Sequence, residues 1–429
     1  KLSEGAPRTR RRLMLAFGIG VNLALIGYFK YFNFFVDNVN RFADTAYHVD
    51  TIVLPLAISF FTFQQITFLV DSYTGETREH RFLDYCLFVT FFPQLIAGPI
   101  VHHREMMPQF AGTVPFRFDP SRLAVGLSIF GCGLFKKIIL ADGVALYSTP
   151  VFDAAARGNV IAFADAWTAA LAYTFQLYFD FSGYSDMAIG LAWLFGICLP
   201  LNFDSPYKSR NIIEFWRRWH MTLSRFLRDY LYFPLGGNRK GTARRYANLL
   251  ITMLLGGLWH GAGWTFVLWG GLHGVYLMVN HGVHALRRML GHNLHRSTSL
   301  GRGVSWALTF LAVVVGWVLF RSEDMHAATA MYTAMLGLGP GAIGFVRLDA
   351  PGALAWVSGL MLLARFAPNT HQWMNIYAPA IDTYGVPPCV PGTFSSWRPS
   401  AAWAAVLAVL FFTSFAFMSS PSEFLYFDF

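Results

Sequence analysis

Two neighbouring stretches decide how this chain is read: NIIEFWRRWHMTLSRFLRDYLYFPLGGNRKG (211–241) and, after a short basic link, NLLITMLLGGLWHGAGWTFVLWGGLHG (248–274). The first has the pattern of an aromatic amphipathic helix carrying His220. Phe215, Trp219, Leu223, Phe226 and Tyr230 fall near one face, while Arg218, Arg225 and Arg228 fall elsewhere, which is the pattern of a helix lying in a membrane interface. Pro234, Gly236 and Gly237 end it. The second is an apolar helix that runs into Trp259-His260-Gly261. A titratable side chain at the end of a membrane-depth apolar run is costly unless it works or is well paired.

Composition points the same way. Hydrophobic residues make up 55 % of the 429 positions and charged residues only 13 %, against about 25 % in soluble domains. With its many Phe, Trp and Tyr residues, the chain fits a multi-pass, all-α integral membrane protein, read here as one membrane-embedded domain over 1–429. The net charge of +9 is concentrated between Lys208 and Arg245, where ten basic residues face only Glu214 and Asp229. Set between membrane segments, such a block reads as a cytoplasmic face apposed to lipid, not as a nucleic-acid site. Cys86, Cys132 and Cys198 sit in apolar runs and Cys389 in a Pro-rich loop, so neither a disulfide framework nor a Cys-type zinc site is indicated.

Along the chain, Arg8, Arg10, Arg11 and Arg12 flank a first apolar segment, Leu13–Phe35, with Lys30 near its far end, placed to snorkel to the interface. Thr51–Val70 carries Pro55, Gln64 and Gln65 and reads as an interior or re-entrant element, followed by a turn at Asp71–Gly75. Phe82–Ile96 ends in FFPQLIAGPI, after which His102, His103 and Arg104 read as a polar loop. Lys136 and Lys137 interrupt Leu123–Leu140 and read as a membrane boundary. Residues 160–200 supply one long or two short helices around QLYFDFSGYSD (176–186), which is either a turn lined by satisfied polar groups or the wall of a substrate cavity. Further segments follow at Val304–Phe320, Ala353–Leu363 and Ala401–Phe417, giving roughly nine to eleven embedded elements at about 20 apolar residues per span. No fixed-period repeat supports an inverted-repeat transporter.

At this point the residues carry a resemblance. YFKYFNFF (28–35), LPLAISFFTFQQITFLVD (54–71), FFPQLIAGPI (91–100), GLFKKIILAD (133–142), QLYFDFSGYSDMAIG (176–190), the stretch 201–237 with WRRWH, LLGGLWHGAGWTFVLWGGLHG (254–274) and the closing FLYFDF (424–429) are similar to the membrane-bound O-acyltransferase family. The likeness is to its bacterial branch that acetylates polysaccharides. Members of that family usually begin with further apolar helices, so an N-terminal truncation is expected. The resemblance implies a multi-pass helical bundle around a central funnel in the bacterial inner membrane. The implied activity moves acetyl from acetyl-CoA to hydroxyls of an exopolysaccharide such as alginate or cellulose. Periplasmic SGNH-type acetyltransferase partners and the polymer-synthesis machinery are implied alongside. D-alanyl transfer to teichoic acid from a carrier protein is an alternative within the same chemistry, and a non-catalytic transporter or channel is one outside it.

The family's invariant histidine corresponds to His260 and a second, less uniform one to His220. From the residues alone, a histidine among aromatics reads more readily as a hydrogen-bonded structural residue; the resemblance turns His260 toward catalysis. Attack of a hydroxyl on a thioester needs a base, oxyanion stabilisation and exclusion of water, and an imidazole suits the first. Gly261-Ala262-Gly263 gives close approach to the backbone, and Trp259, Trp264 and Trp269 can wall the site. His220 stands as a second acid/base, a donor to the thioester oxygen, or a packing residue. Arg217 and Arg218 can meet the CoA phosphates, or anionic lipid in the blander reading. His281/His284 and His292/His295 have HxxH spacing and read as lying in basic surface loops, with no acidic third ligand nearby, so no metal is expected.

Overall fold

The computed structural model describes residues 7–76, 81–95, 98–111, 118–292, 298–339, 348–384, 397–418 and 425. Cys389, His295 and, apart from Leu425, the FLYFDF ending lie outside them. The described residues are helical almost throughout, joined by one parallel strand pair in which Leu199 and Pro200 register with Ala380 and Ile381. Among the described residues, three runs are long and apolar enough to cross a membrane: Arg8–Ala43, Pro120–Ala156 and Ser299–Arg321. The shorter helices Ala350–Phe366 and Ala401–Phe417 are also apolar, and the second coincides with its expected limits.

The bundle is organised on Phe163–Leu194, a 32-residue helix whose middle is buried on every side. A helix apolar all round belongs in a core. Pro120–Phe135 crosses it at two pairs of glycines. A Cβ on Gly133 would stand 2.5 Å from the Gly183 carbonyl oxygen, and one on Gly190 would stand 2.7 Å from that of Gly126. Small residues let two membrane helices approach backbone to backbone, where dispersion replaces the missing hydrophobic drive.

This crossing corrects two expectations. QLYFDFSGYSD is not a turn; it is the unbroken centre of the long helix. Lys136 and Lys137 do not mark a boundary; they open a π-turn (Lys136–Ala141) inside a continuous 37-residue run. Lys136 Nζ lies 2.6 Å from Asp186 Oδ2, and Asp186 also accepts from Thr370 Oγ1 (2.6 Å) and meets His371 Nε2 (3.0 Å). Lys137 Nζ lies 2.7 Å from Asp180 and 2.8 Å from Asp142. A buried pair survives desolvation only when further hydrogen bonds use the remaining lone pairs, and Asp186 has them. Both acids of this motif are therefore paired, and Gln176 accepts from Ser148 (2.5 Å), all within a helix.

The N-terminal run and Ile58–Thr74 form an antiparallel pair. Arg11 binds the Tyr73 carbonyl (2.5 Å) at one end, and Lys30 Nζ reaches Ser59 Oγ (3.4 Å) at the other. Gln64 is buried and Gln65 accepts from Tyr85, as expected of an interior element. The helix continues through Asp71 to Thr74, where Gly75 at φ 84° caps it, so the expected turn begins later. His102 and His103 are not in an exposed loop. Both are buried where the helix His103–Ala111 begins, His103 against Asp71 (3.3 Å) and His102 against the Tyr230 hydroxyl (3.2 Å).

The 211–230 segment departs furthest from its sequence reading. It is two short helices, Ile212–Trp216 and Met221–Leu227, followed by a π-turn at Arg228–Tyr232. Phe215, Trp216, Trp219, Leu223, Phe226 and Leu227 are buried in protein, so it is not an interfacial helix. Gly241–His260 and Trp264–Met289 then make a tight hairpin. Cβ atoms on Gly257 and Gly270 would each stand 2.2 Å from a carbonyl oxygen of the opposite helix. Replacing Gly183 by Val should lower stability by about 1–3 kcal/mol through overpacking at the helix crossing. The unfolding midpoint of the purified protein in detergent measures this; an unchanged midpoint would show that the crossing tolerates a side chain.

Candidate active site

His260 is the last residue of the helix Gly241–His260, and Gly261 continues in extended conformation. Its ring is 5 % exposed and boxed by three aromatic neighbours, with centroids at 4.9 Å (Trp259), 5.1 Å (Trp269) and 5.1 Å (Phe320). All three contacts are edge-on, the arrangement aromatic quadrupoles favour. A Cβ at Gly261 would come 2.2 Å from the Phe266 ring, so a glycine is required there for the chain to turn into the next helix. The Trp259 indole stacks on Phe63 (5.0 Å, 14°), which stacks on Phe226 (3.9 Å, 17°). This column fixes one wall of the box.

His220 also lies beside that wall, its centroid 6.3 Å from Trp259. It sits at the break between the two short helices with φ 40° and ψ 55°, a left-handed conformation uncommon outside glycine. Asn202 holds it there. Its carbonyl accepts from the Met221 amide (2.9 Å), and its Oδ1 lies 3.0 Å from His220 Nδ1. The same Oδ1 accepts from the Thr222 hydroxyl (2.9 Å) and the Thr222 amide (3.4 Å). The Ile100 amide donates to Thr222 Oγ1 (3.0 Å), and Asn202 Nδ2 donates to Ser185 (3.2 Å). A backbone N–H can only donate, so the atom facing Thr222 is the amide oxygen, and His220 Nδ1 carries a proton. In the neutral ring the lone pair is then on Nε2. The motifs at 91–100, 176–190 and 201–203 thus meet at one histidine.

The structure brings together some of the expected site residues and not others. His260, His220, Trp259 and Trp269 are assembled. Trp264 is not: it is 46 % exposed and donates to Asn38 (2.9 Å), pointing away because it opens the following helix. Arg218 is engaged by two acids, Glu214 (3.0 Å) and Asp204 (3.6 Å). Arg225 is a buried fork on Glu105 (2.5 and 2.9 Å), and Arg228 pairs with Asp229 (2.7 Å). Arg217 remains exposed and without an ion pair among the described residues. His273 lies one helical turn beyond Trp269 and packs on Trp216 and Tyr276; the Trp269 ring is 5.0 Å from His273 and 5.1 Å from His260.

Sequence reading missed Asn202, Phe320, Lys30 and Tyr31. Lys30 does not snorkel. Its ammonium donates to the carbonyls of Trp259 (2.6 Å) and His260 (3.3 Å), and the Tyr31 hydroxyl donates to that of Leu258 (2.8 Å). A lysine within an apolar run was the available signal. His281 and His284 lie on the helix Trp264–Met289, not in a loop, and among the described residues no three His, Cys, Asp or Glu side chains are grouped to hold a metal. A cavity of about 270 Å³ walled by Phe135, Tyr178, Leu363 and Trp373 has neither histidine in its lining.

The model of the membrane-bound O-acyltransferase family matches residues 47–319, which include both histidines. The peptidoglycan O-acetyltransferase of Helicobacter pylori is 40 % identical over 458 aligned positions, covering 100 % of this chain and 85 % of that protein. The probable alginate O-acetylase AlgI of Pseudomonas putida is 45 % identical over 345 positions, 79 % of this chain and 68 % of that one. The teichoic acid D-alanyltransferase of Streptococcus thermophilus is 30 % identical over 237 positions, 52 % and 56 % of the two chains. On this likeness, in a helical fold that buries both His220 and His260, the chain belongs to the membrane-bound O-acyltransferase family and is an acyltransferase.

Proposed function

We propose that this protein transfers an acetyl group from acetyl-CoA to hydroxyls of a polysaccharide, with His260 as the general base and His220 as its partner. The observation that carries this reading is the pair of buried imidazoles next to one indole, Trp259, at centroid distances of 4.9 Å for His260 and 6.3 Å for His220. In the reaction the acceptor oxygen attacks the thioester carbonyl while its proton passes to an imidazole. The tetrahedral oxyanion then collapses, the carbon–sulfur bond breaks, and the thiolate leaves with the proton the imidazolium returns. The products are the acetyl ester and free CoA thiol, and no covalent acyl-enzyme is needed.

The hydrogen-bond pattern at His220 bears on its role. With Nδ1–H committed to Asn202, the neutral ring offers a lone pair at Nε2 and no second donor. That favours a proton acceptor over a donor to the thioester oxygen. Trp259, Trp269 and Phe320 keep the box apolar, where a developing oxyanion is stabilised more strongly by a neighbouring imidazolium than it would be in water.

Donor and acceptor are argued from charge and from the relatives. Arg217, exposed and three residues ahead of His220, is where phosphates of CoA would be met, with Arg245 at 2.8 Å from His281 nearby in the basic block. By the positive-inside rule that block faces the cytoplasm of a bacterial inner membrane. The two named O-acetylating relatives act on different polymers, peptidoglycan and alginate, whose common feature is the sugar hydroxyl. A polysaccharide hydroxyl is accordingly the acceptor class, with periplasmic acetyltransferase partners completing delivery. The D-alanyltransferase likeness spans 52 % of the chain, against 100 % and 79 % for the O-acetylating relatives.

Two experiments test the reading. Purified protein carrying His260→Ala should insert normally yet lose consumption of labelled acetyl-CoA by roughly 100-fold or more, the scale of removing a general base. Retained turnover would leave a conduit or a different base. Asn202→Ala should strand a buried Nδ1–H, lowering stability by about 1–3 kcal/mol and slowing transfer with it. Wild-type unfolding midpoint and rate would show that His220 needs no fixed tautomer.

A further inference from the structure

The helix that carries His260 ends inside the protein, and how it ends is the source of the inference. The last four carbonyls of any α-helix have no partner within it. Here they belong to Gly257, Leu258, Trp259 and His260. Gly261 is extended, at φ −162°, so the helix does not close on a left-handed residue that would satisfy them from its own chain. Gly257, Trp259, His260 and Gly261 are buried, so bulk water does not supply the missing donors.

The donors come instead from more than two hundred residues upstream. The segment Gly27–Tyr31 is a π-turn in the N-terminal run. Such single widened turns interrupt α-helices chiefly where side chains have a task. From it the Tyr31 hydroxyl takes the Leu258 carbonyl (2.8 Å), and Lys30 Nζ takes those of Trp259 (2.6 Å) and His260 (3.3 Å). Three consecutive carbonyls, the last being that of His260 itself, are thus held by two adjacent side chains. The Lys30 ammonium has three N–H groups, and the third is directed at Ser59 Oγ (3.4 Å). None is left over for a substrate. A cation at a helix C-terminus also meets the negative end of the macrodipole.

We infer that Lys30, assisted by Tyr31, is the positioning residue for His260: it fixes the terminal turn of that helix so that the imidazole is held in its aromatic box. This rests on the reading of His260 as the base. Lys30 does not touch the reacting atoms, and its effect passes through the backbone of Trp259 and His260. The motif YFKYFNFF (28–35), which the proposed chemistry does not otherwise use, acquires a task.

The test is steady-state kinetics of the full chain in lipid nanodiscs with labelled acetyl-CoA, alongside its unfolding midpoint. Lys30→Met should lower kcat roughly 10- to 100-fold, the usual penalty for a catalytic group displaced by about 1 Å. The KM for acetyl-CoA should stay within roughly twofold, because donor binding is not what Lys30 supports. Lys30→Arg, a second cation able to address the same carbonyls, should restore most of kcat. Tyr31→Phe should show the same split at smaller amplitude, and it carries the test if Lys30→Met fails to accumulate. Wild-type kcat in both Lys30→Met and Tyr31→Phe, or a loss confined to KM, overturns the inference while an inactive His260→Ala keeps the base assignment. An active His260→Ala overturns both.

Discussion

A chain embedded in a membrane that interrupts its helices must find, within the protein, partners for every backbone group the interruption frees. Both histidines of this site sit at such interruptions. His220 is the left-handed residue between two short helices, and His260 is the last residue of a helix that stops without a cap of its own. The surrounding architecture can be understood as the answer to that constraint. Asn202 and Thr222 take up the groups around the first break, and Lys30 and Tyr31 those at the second. The constraint also places the site. Helix breaks are where side chains leave the regular lattice of a bundle, so a reactive ring can be turned inward there.

The rest of the bundle supplies rigidity and dryness. Glycine pairs draw the central helix against Pro120–Phe135 and join the two arms of the hairpin that carries His260. Buried acids on the central helix are matched by Lys136 and Lys137, so the core holds its charges in pairs. The column Trp259–Phe63–Phe226 ties the second long helix, the broken segment and the hairpin to one wall. An aromatic wall of this kind has few rotamers to lose and excludes water without offering a competing nucleophile.

How much of this was legible in the sequence varied with the range of the interactions involved. The apolar helices Gly241–His260, Ser299–Arg321 and Ala401–Phe417 were evident, because their hydropathy is a local property. The segment 211–230 misled for the opposite reason. Its spacing is that of one amphipathic helix, yet Asn202 imposes a left-handed residue in the middle, and the aromatic face is buried by protein instead of lipid. The polar motif 176–186 suggested a break until Lys136 and Lys137, some 50 residues away in sequence, were seen to pair with its acids. In the candidate site, the two histidines were singled out through family resemblance, and the fold buries both beside Trp259. Trp264 lies apart from the histidines and Arg218 is engaged by acids, placements that could not be read locally because direction on a helix and ion pairing are tertiary facts. Lys30 and Asn202 were missed because their partners are distant in the chain.

The central proposal is that His260 acts as the base at the reacting carbonyl with His220 as its partner. A structure of this protein in nanodiscs with an acetyl-CoA analogue whose thioester sulfur is replaced by a methylene group tests that most directly. The account predicts the ketone carbon within reach of both His260 and His220, with the charged head toward Arg217. A ketone lodged instead in the cavity beside Phe135 and Trp373, or against lipid-facing side chains, would contradict it.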